Sequence, residues 1–256
     1  MDEKSSVTKF INSSGFPLEF AAADALRRVG FVTHQGRTYD AAIPGEAIFR
    51  EIDVLADLID TRSPLLIHLV VECKHLTAPW AIISGEGDIS ANVQPILGSN
   101  SYRDPVVLAA HTRRELDIWP PIAFGVVQVQ TKTDPAVPRA GNKAPDPAFD
   151  AVRQVLSAAM GAARQMEPSD PLHLVHPVLV VEGSGLWVYE AGQEPRPVSR
   201  ARLVWWGAPA GQSAAVVEVV SRAEFGPPYL LELRERLVAL AVAIEATERT
   251  RGPWAN

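Results

Sequence analysis

Apolar and acidic residues alternate along residues 48–58, where Ile, Val, Ala and Leu recur at every second position. Successive side chains of a strand point to opposite faces, so this alternation predicts a β-strand with one apolar face. Residues 65–74 follow after a short turn and are almost continuously apolar. A strand of that composition is usually covered on both faces, as in the middle of an α/β sheet. The short turn predicts that the two strands are antiparallel neighbours.

Apolar residues at helical spacing predict helices before and after these two strands. Over residues 17–29 the apolar positions fall on one side of a helix, Gly30 marks its end, and Ser13 and Ser14 are its predicted hydroxyl caps. A second amphipathic pattern over residues 230–247 predicts a closing C-terminal helix. Two further helices are predicted over residues 104–118 and 149–166.

The remaining segments complete the predicted order of elements. Residues 78–101 contain Gly85, Gly87 and Gly98 and favour a loop. Residues 134–147 contain four prolines and predict a mobile, protease-sensitive loop. The other predicted strands cover residues 31–42, 122–130, 176–189, 198–206 and 214–222. The strand over residues 176–189 is broken at residues 183–185, and the last two strands resemble an antiparallel pair.

Together the elements predict a single α/β domain over residues 1–256, with a central mixed sheet flanked by helices. Its core spans about residues 13–190, and the late strand pair and closing helix form a C-terminal extension over about residues 191–256. Neither an internal repeat nor a linker divides the sequence.

Composition narrows the class of protein. The longest apolar run, residues 237–244, is too short to span a bilayer, and the polar N-terminus lacks the apolar core of a signal peptide. We therefore expect a cytoplasmic protein with no membrane partner. A single cysteine, Cys73, excludes an intramolecular disulfide and a multi-cysteine zinc site. The net charge of −6 argues against passive nucleic-acid binding, but an enzyme needs only a local basic patch.

Two charged residues stand at the end of the most apolar strand. In Val70-Val71-Glu72-Cys73-Lys74, strand alternation places Glu72 and Lys74 on one face and turns Cys73 to the other. Such charges are costly in an apolar sheet unless they are paired, hydrated or bound to a metal. The plain structural alternative is a Glu–Lys ion pair at the strand end, and a buried core thiol is the simplest interpretation of Cys73.

Asp53, on the preceding strand, brings a second carboxylate beside Glu72. Two neighbouring carboxylates repel, and a divalent cation offsets the repulsion. Hard oxygen ligands suit Mg²⁺ or Mn²⁺, and the backbone carbonyl of Cys73 is a further possible ligand. Lys74 would then orient a water and stabilise charge on a phosphate. Glu19, at the border of the first helix's apolar face, can turn toward the sheet; the alternative is a boundary glutamate favoured by the helix dipole.

Other chemistry-bearing residues form weaker patterns. His173 and His176 are three residues apart at the start of a strand, without cysteine partners, so a zinc site there is not favoured. Trp205 and Trp206 cannot face the same side of a strand, so one is predicted in the core and the other on a partner surface.

The order of residues 15–19 (GFPLE), 50–56 (REIDVLA) and 70–75 (VVECKH) resembles the restriction-endonuclease-like, PD-(D/E)xK superfamily, in particular its bacterial Mrr-like and defence nucleases. The resemblance covers residues 13–76. It implies that Glu19 is the first-helix acid, Asp53 the motif aspartate, and Glu72 and Lys74 the ExK pair. The sequence departs from the motif at Ile52, where the proline that names the family would stand.

The resemblance implies a restriction-endonuclease-like core and a Mg²⁺-dependent endonuclease that cleaves DNA in prokaryotic defence or restriction. Its expected partners are DNA and a second copy of the chain or a subunit of a defence complex. Two alternatives remain open: a catalytically silent module that binds nucleic acid or scaffolds a complex, and hydrolysis of RNA or of branched DNA.

Overall fold

Helices and strands of the fold are taken from a computed structural model, which describes residues 3–40, 49–62, 65–85, 93–98, 105–118, 121–129, 146–166, 172–206 and 214–250. The helices in these ranges are α1 Glu3–Ser13, α2 Phe16–Arg28, α3 Pro105–Glu115, α4 Pro147–Arg164 and α5 Pro227–Thr250. The strands are β1 Val32–Asp40, β2 Phe49–Ile59, β3 Leu66–Leu76, β4 Trp80–Gly85, β5 Ile96–Gly98, β6 Ile122–Gln128, β7 His173–Gly183, β8 Leu186–Glu190, β9 Arg196–Val198, β10 Arg200–Trp206 and β11 Ala214–Ser221.

All of these strands belong to one mixed sheet with the order β1-β2-β3-β7-β11-β10-β6-β4-β8-β9, and β5 pairs with β7 off this path. β1, β2 and β3 are antiparallel neighbours, whereas β7 runs parallel to both β3 and β11. The molecule is thus an α/β protein with a large mixed sheet flanked by helices, as the pattern predicted. β10 and β11 form the predicted antiparallel pair, and they lie inside the sheet between β7 and β6.

β3 owes its central place to its largely apolar composition. Seven consecutive residues, from Ile67 to Cys73, are buried. Val71 and Cys73 join a core shared with α2 and α5, whereas Val70, on the alternate face of the strand, joins a second core shared with α4. Helices therefore cover both faces of β3, as the sequence predicted for this strand.

Two local predictions differ from the structure, and one helix was not predicted. α2 begins at Phe16 with Gly15 as its cap, and no side chain caps it, because the Ser14 hydroxyl donates to the Ile11 carbonyl at the end of α1. Residues 80–85, which the glycine content assigned to a loop, form β4 between β6 and β8, since sheet pairing on both sides outweighs that local signal. The glycine-free first residues, for which no element was predicted, form α1.

The proline-rich segment predicted as a mobile loop lies outside the described residues, apart from Asp146 and Pro147. The Asp146 carboxylate accepts hydrogen bonds from the N–H groups of Ala148 and Phe149 and thereby caps α4. In the described part of the chain, none of the helices combines the length and the apolar character needed to cross a membrane.

Candidate metal centre

β2 and β3 separate at one end of their pairing, and the predicted carboxylates lie at that point. The pairing runs from Ile59–Leu66 to Val54–Val71. One residue further, the same register sets Asp53 opposite Glu72. There the Asp53 side chain, through Oδ2, accepts a hydrogen bond from the backbone N–H of Cys73 at 2.7 Å. The predicted antiparallel arrangement of the two strands is confirmed, and the two carboxylates lie where the strands part.

Glu72 and Lys74 are joined in an ion pair. Lys74 Nζ donates to Glu72 Oε1 at 2.5 Å. The Glu72 side chain is 2% exposed and that of Lys74 is 32% exposed, so the pair runs from the interior of the sheet to solvent. Cys73 lies in the opposite core beside α2, as alternation predicted, and burial raises the pKa of its thiol above the usual range. A buried, protonated thiol is a poor nucleophile.

Glu19 reaches the same group of charges from the first turn of α2. Its carboxylate interacts electrostatically with Asp53, Glu51 and Lys74. The side chain folds back over the start of the helix, where a Cβ on Gly15 would lie 2.9 Å from Glu19 Oε1. The structure thus brings together Glu19, Asp53, Glu72 and Lys74, although their positions span more than fifty residues of sequence.

Three carboxylates and one ammonium give this site an excess of negative charge. Burial, followed by the charge of Asp53, raises the pKa of Glu72 to about 7. Burial also raises the pKa of Asp53, which the Cys73 N–H partly opposes, and the pKa of Glu19 is raised by burial and then by Asp53. Burial, with a neighbouring carboxylate in each case, makes these acids harder to ionise, and a bound cation would offset that effect.

The donor set fits a hard divalent cation. Within the described ranges, no three His, Cys, Asp or Glu side chains converge into a ready metal cage. Mg²⁺ does not require one, because it is usually held by one or two carboxylates and completes its shell with waters and substrate phosphates. Asp53 and Glu72 supply those two carboxylates. Zinc favours imidazole and thiolate ligands, and Glu19, Asp53, Glu72 and Lys74 supply neither.

Tyr39 is a neighbour of the site that the sequence did not single out. It is fully buried at the end of β1, its ring lies against Gly161 of α4, and its hydroxyl has no hydrogen-bond partner among the described residues. Burial raises the pKa of the phenol, and the Glu72 charge acts in the same direction. No motif marks this residue, because its proximity to Glu72 depends on how β1 and α4 pack.

The other sequence candidates lie apart from the site. His173 Nδ1 is 2.7 Å from Nε2 of His68, which in turn contacts Asp57, whereas His176 is buried elsewhere and burial lowers its pKa to about 3. The two histidines therefore do not form a metal site together. Trp205 is a core residue in edge-to-face contact with Phe149, as expected for one of the tryptophan pair, and the Trp206 side chain lies outside the described part.

Comparison with protein-family models, with curated proteins and with solved structures gives no match to this chain.

Proposed function

We propose that this protein is a metal-dependent nuclease with a restriction-endonuclease-like core. The observation that carries the proposal is the pair of opposed carboxylates, Asp53 and Glu72, at the point where two central strands part, with the Lys74 ammonium on Glu72. Structural ion pairs are usually exposed or fully neutralised, whereas this group buries Glu72 beside a second acid and within reach of a third. Such an excess of buried negative charge is typical of sites that bind cations.

Asp53 and Glu72 would hold Mg²⁺ or Mn²⁺, with the Cys73 carbonyl as a further oxygen ligand. When bound, such an ion polarises a phosphoryl oxygen and lowers the pKa of a coordinated water. The Cys73 N–H keeps the Asp53 carboxylate in place through its 2.7 Å hydrogen bond. A ligand fixed in this way pays little conformational entropy on binding.

Lys74 and Glu19 would act on the reacting groups themselves. The Lys74 ammonium lies at the exposed end of its ion pair, where it can orient a water and stabilise negative charge that develops on a phosphate. Glu19 presents a partly buried carboxylate from α2. Its raised pKa suits a group that accepts a proton from an attacking water. DNA as the substrate, and a role in prokaryotic defence, rest on the motif resemblance alone.

Cleavage assays test the proposal directly. Plasmid, linear and single-stranded DNA and RNA are incubated with Mg²⁺, Mn²⁺ or EDTA, for the natural chain and for Asp53→Asn, Glu72→Gln and Lys74→Ala. Asp53→Asn keeps an oxygen that can accept the Cys73 N–H, so it removes charge with little change of packing. Asp24→Asn, at an exposed carboxylate of the same helix as Glu19, is the matched control. We expect cleavage with Mg²⁺ or Mn²⁺ by the natural chain and the control only.

Metal binding gives a second measurement that does not depend on the substrate. Millimolar Mg²⁺ or Mn²⁺ should raise the melting temperature of the natural chain, because a ligand that binds only the folded state stabilises it. Asp53→Asn and Glu72→Gln should abolish this shift. Cleavage in EDTA, or by either variant, would exclude the nuclease mechanism. Cation and DNA binding without cleavage of any substrate would instead favour the catalytically silent module.

A further inference from the structure

A second site of charge and empty space lies at the far end of the strand order. It is a cavity of about 330 Å³ whose lining comes mainly from β4, β6, β8, β9 and β10. In the sheet, paired strands run in the order β10, β6, β4, β8 and β9. Along the chain, β9 is joined to β10 by the single residue Ser199. α5 and the residues after α3 complete the lining. β7 lies in the sheet order between β3, which carries Glu72, and β11, the nearest strand that lines the cavity.

Arg202 is held in the cavity wall by a buried acid. Its Nε donates to Glu218 Oε1 at 2.7 Å, and the Glu218 side chain is 1% exposed. This bond uses one of the five N–H groups of the guanidinium and fixes its plane. Among the described residues, the nearest other carboxylate to its terminal nitrogens is Asp117, at 3.9 Å from Nη1, which is beyond hydrogen-bonding distance. Within the described part of the chain, the terminal N–H groups of Arg202 therefore remain open to a ligand.

Arg236, on α5, approaches the same carboxylate. Its Nη2 is 3.6 Å from Asp117 Oδ2 and 3.0 Å from Glu232 Oε1. Asp117 is thus shared between two guanidinium groups without a close contact to either, and its side chain is 58% exposed. Two arginines spaced around a weakly held carboxylate can be bridged by an anion with several oxygens.

Ser84, on β4, has a hydroxyl that makes no hydrogen bond to any described residue. The residue is 6% exposed, and its Oγ is buried with no hydrogen-bond partner in the described part of the chain. A buried hydroxyl left without a partner is unfavourable, and a guest toward which the Ser84 side chain turns would remove that penalty. Ser84 lines the cavity together with Arg202 and Arg236.

The lining selects a ligand by charge and by shape. Four arginines and three acids line the cavity, and Glu232, outside the lining, pairs with both Arg200 and Arg236. The acids offset the arginine charges, and the ligand is selected by the N–H groups of Arg202 and Arg236 that these pairs leave unused. Apolar side chains, among them Ile122 and Val188, form another part of the wall. The volume is that of a small-molecule site rather than a nucleic-acid groove. An anionic group with several acceptor oxygens, carried on a compact apolar body, matches both parts of the lining.

We infer that this cavity binds a small organic phosphate, with its phosphoryl oxygens on Arg202, Arg236 and the Ser84 hydroxyl. Its organic part lies against Ile122 and Val188. The site is separate from the proposed nuclease centre and does not depend on that function.

Calorimetry at constant ionic strength tests this site on the full chain. The probes are 5′-mononucleotides and hexose phosphates, each beside its dephosphorylated nucleoside or sugar. The phosphates should bind and their dephosphorylated counterparts should not. Ser84→Ala and Arg236→Gln should each weaken binding on the order of tenfold, as expected for one hydrogen bond to a phosphate. Arg153→Gln, an exposed arginine of α4, should leave binding unchanged.

Ser84→Ala also separates loss of binding from loss of folding. Because its hydroxyl makes no hydrogen bond in the ligand-free protein, the variant should melt at the natural temperature or slightly above it. Absence of binding by every phosphate probe, or equal affinity in the natural chain and both cavity variants, would overturn the inference. So would a result in which only DNA binding, and not mononucleotide binding, depends on Arg236.

Discussion

At the scale of single residues, Cys73 shows how strand alternation separates chemistry from packing. Its neighbours Glu72 and Lys74 belong to the charged site, whereas its own thiol lies in the core beside α2. Burial raises the pKa of that thiol, so the reactive thiolate is scarce in the folded protein. Iodoacetamide should therefore label Cys73 only after denaturation, as read by mass spectrometry.

The substitution Cys73→Ala should in turn preserve cleavage and metal binding, since it leaves the backbone amide that holds Asp53. Rapid labelling of the folded chain, or loss of cleavage in a variant of unchanged melting temperature, would show that the thiol faces the site.

Lys74 allows a second prediction at this scale. It is the ammonium partner of a glutamate that is 2% exposed, so Lys74→Met leaves Glu72 buried beside Asp53 without its counter-charge. The metal-free variant should lose about 1–3 kcal/mol of unfolding free energy, less than a fully buried pair because Lys74 is partly solvated. Adding Glu72→Gln should recover most of the loss in urea unfolding. Additive losses in the double variant would contradict the coupling.

At the scale of elements, α4 depends on a glycine for its approach to β1. A Cβ on Gly161 would overlap the ring of Tyr39 and lie 3.2 Å from the Asp40 carbonyl oxygen. Alanine normally stabilises a helix interior by about 1 kcal/mol relative to glycine. Here Gly161→Ala should instead destabilise the protein by about 1–3 kcal/mol, the usual cost of overpacking. Chemical unfolding measures this change, and a stabilised Gly161→Ala variant would mean that α4 lies further from β1.

The end of β2 is tied to α5 by charge, and this contact predicts a pH dependence. Arg62 donates to the Asp60 carboxylate at 2.8 and 2.7 Å, and Arg234 of α5 approaches it at 3.4 Å. The Arg62 hydrogen bonds, more than any other contact, hold the pKa of Asp60 far below its usual range. A lowered pKa in the folded state stabilises the fold above the unfolded value, about pH 4, and this contribution is lost as the pH falls through the folded value.

Asp60→Asn should therefore cost about 1–3 kcal/mol near neutral pH, and the difference from the natural chain should shrink as the pH falls below about 4. Denaturant unfolding at several pH values measures it. Asp24→Asn, which removes a pair exposed on both sides, should have little effect at any pH. A cost of Asp60→Asn that does not change with pH would show that packing, rather than charge, is what Asp60 contributes.

At the scale of the whole molecule, charge predicts weak DNA binding by the isolated chain. Net charge is −6, and the exposed arginines of α2 and α3 are partly neutralised, since Arg28 pairs with Asp24 and Arg114 with Glu115. Tight binding to duplex DNA requires clustered positive charge that releases counterions. A second copy or a partner subunit should supply the rest of the contact surface, because cutting both strands usually requires two active sites.

Light scattering and a salt titration of DNA binding measure this prediction. We expect self-association, or affinity that appears only with a partner, together with a shallow salt dependence for the isolated chain. A strict monomer that binds duplex DNA tightly at physiological salt would contradict it.

The sequence by itself determined β2, β3 and their antiparallel order, together with the helices around them, because local periodicity and a short turn specify these features. It also predicted Asp53 beside Glu72, since the register follows from the two strands and the turn. Glu51 and Asp57 show the same alternation without joining the pair of opposed carboxylates, so the strand pattern alone could not choose the site.

Only the tertiary structure decided the features that depend on long-range pairing. Residues 80–85 form β4 because β6 and β8, from distant parts of the chain, pair with them. β10 and β11 lie in the middle of the sheet because they pair with β6 and β7. Tyr39 lies near Glu72, and Ser84 and Arg202 line one cavity, through packing that no short motif encodes. Periodicity acts over a few residues, whereas these neighbours are set by which surfaces bury one another.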